Sequence, residues 1–215
     1  MIFDKRSLTI YVPSKDKSNE PTKRKIKPYA RRDDPGAMDG VSALHIIVQG
    51  NMSNMEPPEC QCQHNAPALF FSTGGPSDNT FHSFSEIVIP LFITSRHFEG
   101  RVKFVISDYR PRWVRKFNQV LKKLTNYDLI DADADETVHC FPAAVVGLRY
   151  YSVSSLWFGR ITKDNTIYIT TSVVTTRIPL MIARNFIEIL SISRWQLNYS
   201  MQNNVLMLDS CVHAQ

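Results

Sequence analysis

The pattern of apolar positions predicts a strand followed by a buried helix in the first half of the chain. An apolar, β-like run begins at Leu69 and breaks at Gly74 and Gly75. The helical pattern that follows covers residues 80–95 and is apolar nearly all round, which is typical of a buried helix. Pro90 lies inside this helix and predicts a kink, because proline cannot donate the backbone hydrogen bond of a helix interior.

A strand, a helix and a second strand follow within about 30 residues. Residues 102–106 predict a buried strand, Pro111 stands where the first turn of a helix tolerates proline, and residues 127–130 predict a short strand. One face of the helix between them is apolar, with side chains at helical spacing: Trp113, Phe117, Val120, Leu121 and Leu124. This order predicts an α/β fold with a Rossmann-like parallel sheet and a right-handed crossover.

His82 and Glu86 are the candidate catalytic residues. They are four positions apart, so the first helical turns carry an imidazole and a carboxylate on one face. The helix follows a strand directly, and α/β folds bind ligands at the carboxyl ends of their strands. Two interpretations stay open, namely an acid/base pair and a structural hydrogen bond between two buried polar groups.

The charge of the chain changes this picture only near the N-terminus. The 215 residues carry 25 basic and 20 acidic side chains, which gives a net charge of +5. Residues 1–35 contain ten of the basic and five of the acidic side chains and account for the whole excess. Because acids are interleaved with the basic residues and no aromatic stacking platform accompanies them, we interpret residues 1–35 as an irregular, flexible leader. We do not expect a nucleic-acid partner.

The sequence shows no membrane span, no secretory signal and no zinc pattern. No window approaches about 18 uncharged apolar residues, and the region after Met1 lacks the apolar core of a signal peptide. Cys60 and Cys62 are separated by a single residue and have no matching second pair. Asn51 opens an N-glycosylation sequon, and Asn198 opens another.

Residues 131–136 are acidic and contain an Asp-x-Asp repeat. As a calcium loop the stretch lacks the required glycine, and Pro142 stands where the last carboxylate belongs. We therefore interpret residues 131–136 as a solvated loop. Gly74 and Gly75 match neither a Walker loop nor a dinucleotide fingerprint. The sequence thus predicts no metal site and no phosphate-cradling loop.

Five blocks occur in a fixed order from about residue 26 to about residue 148. They are KIKPYARRDDPGAM, the sequon region from Asn51 to Cys60, ALFFSTGGPSDNTFHSFSEIVIPLFITSRHF, VKFVISDYRPRWVRKFNQVLKKLTNYDLID and ETVHCFPAAVVGL. In this order they resemble the N-terminal portion of plant members of glycosyltransferase family 61, which includes xylan arabinosyl- and xylosyltransferases. The family's signature usually reads Asn-x-x-His-x-Phe-x-Asp. Here it reads Asn79-x-x-His82-x-Phe84-x-Glu86.

The resemblance implies a two-lobed, GT-B-like enzyme in which residues 36–150 form one Rossmann-like lobe. It implies inverting transfer of a sugar, expected to be a pentose, from UDP-xylose or UDP-arabinose to a cell-wall polysaccharide or glycoprotein glycan. It implies neither a metal nor a tightly bound cofactor. It also implies residence on the luminal face of the Golgi membrane, through an anchor that is not visible here. His82 with Glu86 would then supply the base, and a disulfide between Cys60 and Cys140 becomes a hypothesis.

Residues 151–215 lack the donor-binding segment that the resemblance implies for a second lobe. They carry few charges and no clean periodicity, which predicts a divergent tail that is out of frame or disordered. We therefore expect a truncated chain. The first hypothesis is a glycosyltransferase represented by its acceptor-side lobe. The alternative is an inactive fragment that binds a glycan or a protein partner.

Overall fold

The structure, a computed structural model, describes residues 1–14, 21–49 and 56–149 and five strands between residues 159 and 209. These residues divide into two units, residues 1–115 with 124–149 and residues 116–123 with 150–215. Both helices and parallel strands are present, which confirms the α/β class. Within the described ranges no helix combines the length and the apolar character that a membrane crossing requires.

The elements before residue 150 alternate between short strands and helices. In chain order they are β1 (Ile2–Asp4), a 3₁₀ turn (Lys5–Ser7), β2 (Thr9–Pro13), β3 (Thr22–Ile26), α1 (Pro35–Asp39), β4 (Leu44–Gln49), β5 (Cys62–Gln63), β6 (Ala68–Ser72), α2 (Thr80–His82), a π-helical segment (Ser83–Val88), α3 (Ile89–Ser95), a second 3₁₀ turn (Arg96–Phe98), β7 (Lys103–Ser107), α4 (Pro111–Leu124), β8 (Ile130–Asp131), β9 (His139–Cys140) and β10 (Ala144–Val146).

A four-stranded parallel sheet contains the strands predicted from the apolar runs. Its order is β10-β6-β7-β8. The parallel pairing of β7 with β8, which α4 connects, confirms the predicted strand–helix–strand unit. The chain runs outward from β6 to β8 and returns to β10 on the other side of β6. Doubly wound sheets bind ligands at such a reversal, outside the carboxyl ends of the strands.

The burial pattern explains why these segments adopt these positions. All five residues of β6 are buried, as expected for a parallel strand covered on both faces. The apolar face predicted for α4 is buried at every one of its five positions: Trp113, Phe117, Val120, Leu121 and Leu124. Hydrophobic burial of this face therefore fixes the helix orientation, and its basic residues remain on the opposite side.

The prediction of an irregular leader over residues 1–35 is wrong where the structure describes it. β1, β2 and β3 lie in a six-stranded sheet with the order β3-β4-β2-β1-β9-β5. Phe3 and Ile10 are each 1% exposed and belong to one core cluster with Phe70. Three of the ten basic residues that suggested a solvated leader, Lys23, Arg24 and Lys25, lie on β3, an exposed edge strand. Charged side chains at such an edge discourage pairing with another chain.

The helix over residues 80–95 is irregular immediately before Pro90. Its middle turns, Ser83–Val88, are π-helical, and regular α-helix resumes at Ile89. Pro90 has no backbone N–H to donate to the carbonyl four residues earlier, so the regular hydrogen-bond ladder is interrupted at this point. The predicted disturbance at Pro90 therefore takes the form of a π-helical segment that contains Glu86.

Beyond residue 150 the structure describes a five-stranded antiparallel sheet. Its strands are β11 (Gly159–Ile161), β12 (Ile167–Thr170), β13 (Thr175–Ile178), β14 (Asn198–Gln202) and β15 (Val205–Asp209), in the order β13-β12-β11-β15-β14. The sequence predicted a disordered tail, whereas these five segments of it form strands. The prediction that residues 151–215 are out of frame stays a prediction. The sequon at Asn51 lies outside the described residues.

Cys60 and Cys140, the pair suggested from the resemblance, form a disulfide. Their sequence separation is 80 residues and their Cα atoms are 5.9 Å apart. Such a bond stabilises the protein mainly by restricting the unfolded chain. We therefore expect Cys140→Ser to lower the free energy of unfolding by about 2–4 kcal/mol, measured by urea denaturation.

The control for this prediction is wild-type protein under reducing conditions, which should match the untreated variant. Equal denaturation midpoints for the oxidised wild type and Cys140→Ser would contradict the prediction, as would a mass spectrum with both thiols free in the unreduced protein.

Candidate functional site

His82 and Glu86 form a hydrogen-bonded pair at the start of the helix that follows β6. Nδ1 of His82 is 2.7 Å from Oε1 of Glu86. The Glu86 side chain is fully buried, whereas the His82 side chain is 27% exposed. Because an ionised carboxylate only accepts hydrogen bonds, Nδ1 carries the proton and Nε2 keeps its lone pair. A carboxylate that orients an imidazole in this way is the arrangement of a general base with its positioning partner.

Two residues from the N-terminal segment complete the environment of Glu86. The Tyr29 hydroxyl donates to Oε2 at 2.9 Å, and Nη1 of Arg31 donates to Oε1 at 3.0 Å. Arg31 also contacts Asp34 Oδ2 at 2.9 Å, and Asp34 caps α1 through the backbone N–H of Ala37. A carboxylate removed from water needs such partners to remain ionised. These contacts therefore hold the Glu86 carboxylate in one fixed orientation.

The sequence prediction missed Tyr29 and Arg31. Both lie within residues 1–35, which the composition assigned to a flexible leader. A signal was nevertheless present, because both residues fall in the KIKPYARRDDPGAM block that carries part of the family resemblance. Burial and then the Glu86 carboxylate raise the pKa of Tyr29 well above its usual range. Its hydroxyl is consequently a permanent donor to Glu86.

The Tyr29 hydrogen bond can be tested by removing the hydroxyl alone. We expect Tyr29→Phe to lower the free energy of unfolding by about 1.5–3 kcal/mol, the range for hydrogen bonds to charged groups. Urea denaturation measures the effect. The matched control is Tyr11→Phe in β2, where the ring is only half-buried and should tolerate the loss. Equal losses in both variants would show that the Glu86 contact contributes nothing specific.

Gly74 and Gly75 allow the segment with Tyr29 to lie across the carboxyl end of β6. Gly75 has φ +62°, and a Cβ there would lie 2.8 Å from the Ala37 carbonyl oxygen and 3.3 Å from the Tyr29 side chain. A Cβ on Gly74 would lie 2.1 Å from the Gly40 carbonyl oxygen. Only glycine fits both positions. The glycine pair therefore allows close backbone packing beneath the candidate site.

The site lies where the strand order of the parallel sheet reverses. The backbone N–H of Ser72, the last residue of β6, donates to the Pro28 carbonyl at 2.9 Å. Arg32 reaches Gly147, directly after β10, since a Cβ on that glycine would lie 2.6 Å from Arg32 Nη2. The segment that holds Glu86 thus spans the carboxyl ends of β6 and β10. This is the position at which doubly wound sheets bind their ligands.

Asp108 links the carboxyl ends of β6 and β7. Its Oδ2 accepts hydrogen bonds from the Ser72 hydroxyl at 2.5 Å and from the Ser42 backbone N–H at 3.0 Å. Its own carbonyl accepts from the Thr73 hydroxyl at 2.6 Å. Asp108 has φ +50°, a left-handed conformation that aspartate tolerates better than most residues. These hydrogen bonds connect the backbone segments at the ends of β6 and β7.

The acidic residues 131–136 form a turn, as predicted. Asp131 Oδ1 accepts from the backbone N–H groups of Asp133 and Ala134 at 2.9 and 3.2 Å. Asp135 accepts from the Thr137 backbone and contacts a ring nitrogen of His139 at 3.0 Å. The carboxylates therefore organise the loop itself.

Comparison with known proteins gives relatives for about two thirds of the chain. It is 39% identical over 146 residues to a β-1,2-xylosyltransferase of Oryza sativa subsp. japonica, covering 65% of this chain and 25% of that protein. It is 36% identical over 145 residues to a xylan glycosyltransferase of Arabidopsis thaliana, covering 67% and 29%. An α-1,3-arabinosyltransferase of Oryza sativa subsp. japonica is 39% identical over 127 residues, covering 59% and 21%.

These matches cover only part of each relative. The chain spans about a quarter of the length of the curated relatives it matches. No family model matches the chain.

Proposed function

We propose, from the confirmed resemblance of this chain to the N-terminal portion of plant family 61 glycosyltransferases, that it forms the lobe carrying the catalytic base. The proposed reaction is inverting transfer of a pentose from a nucleotide-sugar, UDP-xylose or UDP-arabinose, to a hydroxyl of xylan. The observation that carries this proposal is the His82–Glu86 pair at the carboxyl end of β6. The names of the relatives support the choice of sugar and acceptor.

The proposed chemistry assigns a role to each group around Glu86. The acceptor hydroxyl attacks the anomeric carbon from the side opposite the leaving nucleoside diphosphate. A new C–O bond forms, and the bond to the diphosphate breaks with its electron pair. Nε2 of His82 takes the hydroxyl proton as the bond forms. The resulting imidazolium is stabilised by Glu86, which Tyr29 and Arg31 hold in place.

An exposed aromatic ring beside the base supports an acceptor-side role. Phe81 is 44% exposed, and its ring centroid lies 5.5 Å from that of His82 at an interplanar angle of 81°. The flat apolar face of an aromatic ring can pack against the C–H face of a sugar. In this proposal an acceptor sugar on Phe81 presents its hydroxyl to Nε2 of His82.

The proposal places the donor nucleotide on a second lobe, in a GT-B-like arrangement without a catalytic metal or a bound cofactor. It also places the protein in the lumen of the Golgi. The disulfide between Cys60 and Cys140 supports an oxidising compartment. Asn51 is the proposed glycosylation site of the same compartment.

The test is sugar transfer by the native protein that contains these residues. Radiolabelled UDP-xylose and UDP-arabinose are offered separately with a xylan oligosaccharide, and the product is analysed by NMR. We expect labelled oligosaccharide with inverted anomeric configuration. Retention of configuration would overturn the base role of His82. Oligosaccharide binding without transfer would favour the inactive glycan-binding fragment instead.

A further inference from the structure

Cys62, His64 and His139 bring three metal-ligand atoms together at the junction of β5 and β9. The sulfur and one nitrogen of each imidazole lie within 4.8 Å of one another. This cluster belongs to the six-stranded sheet, whereas His82 follows β6 of the parallel sheet. We propose that Cys62, His64 and His139 bind a zinc-like divalent cation, independently of the proposed catalytic pair.

Two distances within the cluster are close to those of a tetrahedral zinc site. Cys62 Sγ is 3.6 Å from His64 Nε2, and His64 Nε2 is 2.9 Å from His139 Nδ1. Zinc bonds of about 2.3 Å to sulfur and 2.0–2.1 Å to nitrogen at tetrahedral angles separate S from N by about 3.6 Å and two nitrogens by about 3.3 Å. The Sγ–Nε2 distance already agrees with this geometry, and the two imidazole nitrogens would separate by about 0.4 Å to reach it.

A hydrogen bond to Asp135 orients the His139 ring so that the lone pair of Nδ1 points into the cluster. Asp135 Oδ2 lies 3.0 Å from His139 Nε2, and His139 is only 5% exposed. The carboxylate keeps the proton on Nε2, so Nδ1 is left as a metal ligand or an acceptor. Without a metal, Nε2–H of His64 donates to Nδ1 of His139. A cation would replace that proton. In zinc sites a ligating histidine usually donates its other ring N–H to a carboxylate or a carbonyl.

The framework around the three ligands is already fixed. β5 and β9 pair in parallel with Cys62 opposite His139, and the disulfide joins Cys60 to Cys140 of β9. The His64 ring stacks on Phe141 with centroids 4.7 Å apart and planes 14° apart. Strand pairing, a covalent bond and ring packing already fix the positions of the ligands. Metal binding would therefore cost less conformational entropy.

The ligand types decide which cation fits. One thiolate and two imidazoles favour zinc and similar transition metals over magnesium or calcium, which prefer oxygen. Three protein ligands leave a fourth position for water. The sequence prediction excluded zinc because it considered only cysteine pairs. His139 follows Cys62 by 77 positions and meets it only through the pairing of β5 with β9.

The test is cobalt titration of the full 215-residue chain after treatment with a chelator and with the disulfide intact. Cobalt reports a thiolate ligand through charge-transfer absorption and tetrahedral geometry through its visible bands. We expect one cobalt per chain with both signals, and displacement by zinc. Cys62→Ser should remove the charge-transfer band and weaken binding at least about tenfold. Asp135→Asn should keep that band and weaken binding about 10–100-fold.

The control variant is His97→Gln, since His97 is exposed and lies after α3, outside the cluster. It should bind cobalt as the wild type does. His64→Gln, at a half-buried position, serves as a second ligand variant should Cys62→Ser fail to fold, as judged by circular dichroism. The proposal is overturned if wild-type protein binds no stoichiometric cobalt, if its spectrum lacks the thiolate band, or if the folded ligand variants bind as tightly as His97→Gln.

Discussion

Replacing His82 with alanine is expected to lower the rate of sugar transfer by about 10²–10⁴-fold, the usual contribution of a general base. The variant loses Nε2, which is the proposed acceptor for the hydroxyl proton. The side chain is 27% exposed, so its removal leaves no large cavity, and Glu86 keeps the hydrogen bonds from Tyr29 and Arg31. The protein should therefore remain folded, with kcat reduced and KM for the donor little changed.

The measurement is steady-state transfer from radiolabelled nucleotide-sugar, with circular dichroism as the folding check. His97→Ala is the matched control, because His97 is an exposed histidine in the 3₁₀ turn after α3. A wild-type rate in folded His82→Ala would remove the base role. The pair with Glu86 would then be a structural hydrogen bond, the other interpretation left open by the sequence.

Local patterns were sufficient to predict the parallel sheet and the contact between His82 and Glu86. The hydrophobic periodicity of β7 and α4 can be recognised within a stretch of about 25 residues. A spacing of four positions on a helix brings two side chains close together. The structure accordingly has α4 at Pro111–Leu124 and the two side chains 2.7 Å apart. Neither result requires knowledge of distant parts of the chain.

The partners of Glu86 could not be predicted in the same way. Tyr29 precedes Glu86 by 57 positions and Arg31 by 55, and no periodicity connects such residues. The charge of residues 1–35 also argued against burial, although three of its ten basic residues lie together on the exposed edge strand β3. Phe3 and Ile10 lie in strands of three and five residues, which are too short to stand out from a charged background.

Removing the Glu86 carboxylate should have the largest effect on stability. Glu86→Ala leaves the Tyr29 hydroxyl without its buried acceptor and removes the anion that offsets Arg31. Arg31 keeps its contact with Asp34, so the loss comes from the unpaired Tyr29 hydroxyl and from the space that the buried side chain leaves, about 3–5 kcal/mol together. We expect a loss of this size in the free energy of unfolding by urea denaturation. Glu99→Ala is the control, because its side chain is 77% exposed and its pairing with Arg101 contributes little.

Two further substitutions separate the structural role of Glu86 from its role in positioning His82. Glu86→Gln keeps the side-chain shape and the acceptor for Tyr29, so it should cost less stability than Glu86→Ala. Its neutral amide no longer stabilises an imidazolium, and transfer should still fall steeply. Glu86→Asp restores the aspartate usual in the family signature but shortens the arm by one methylene. We expect the shorter side chain not to reach Tyr29, Arg31 and His82 together. Wild-type stability and transfer in both variants would show that the buried carboxylate has neither role.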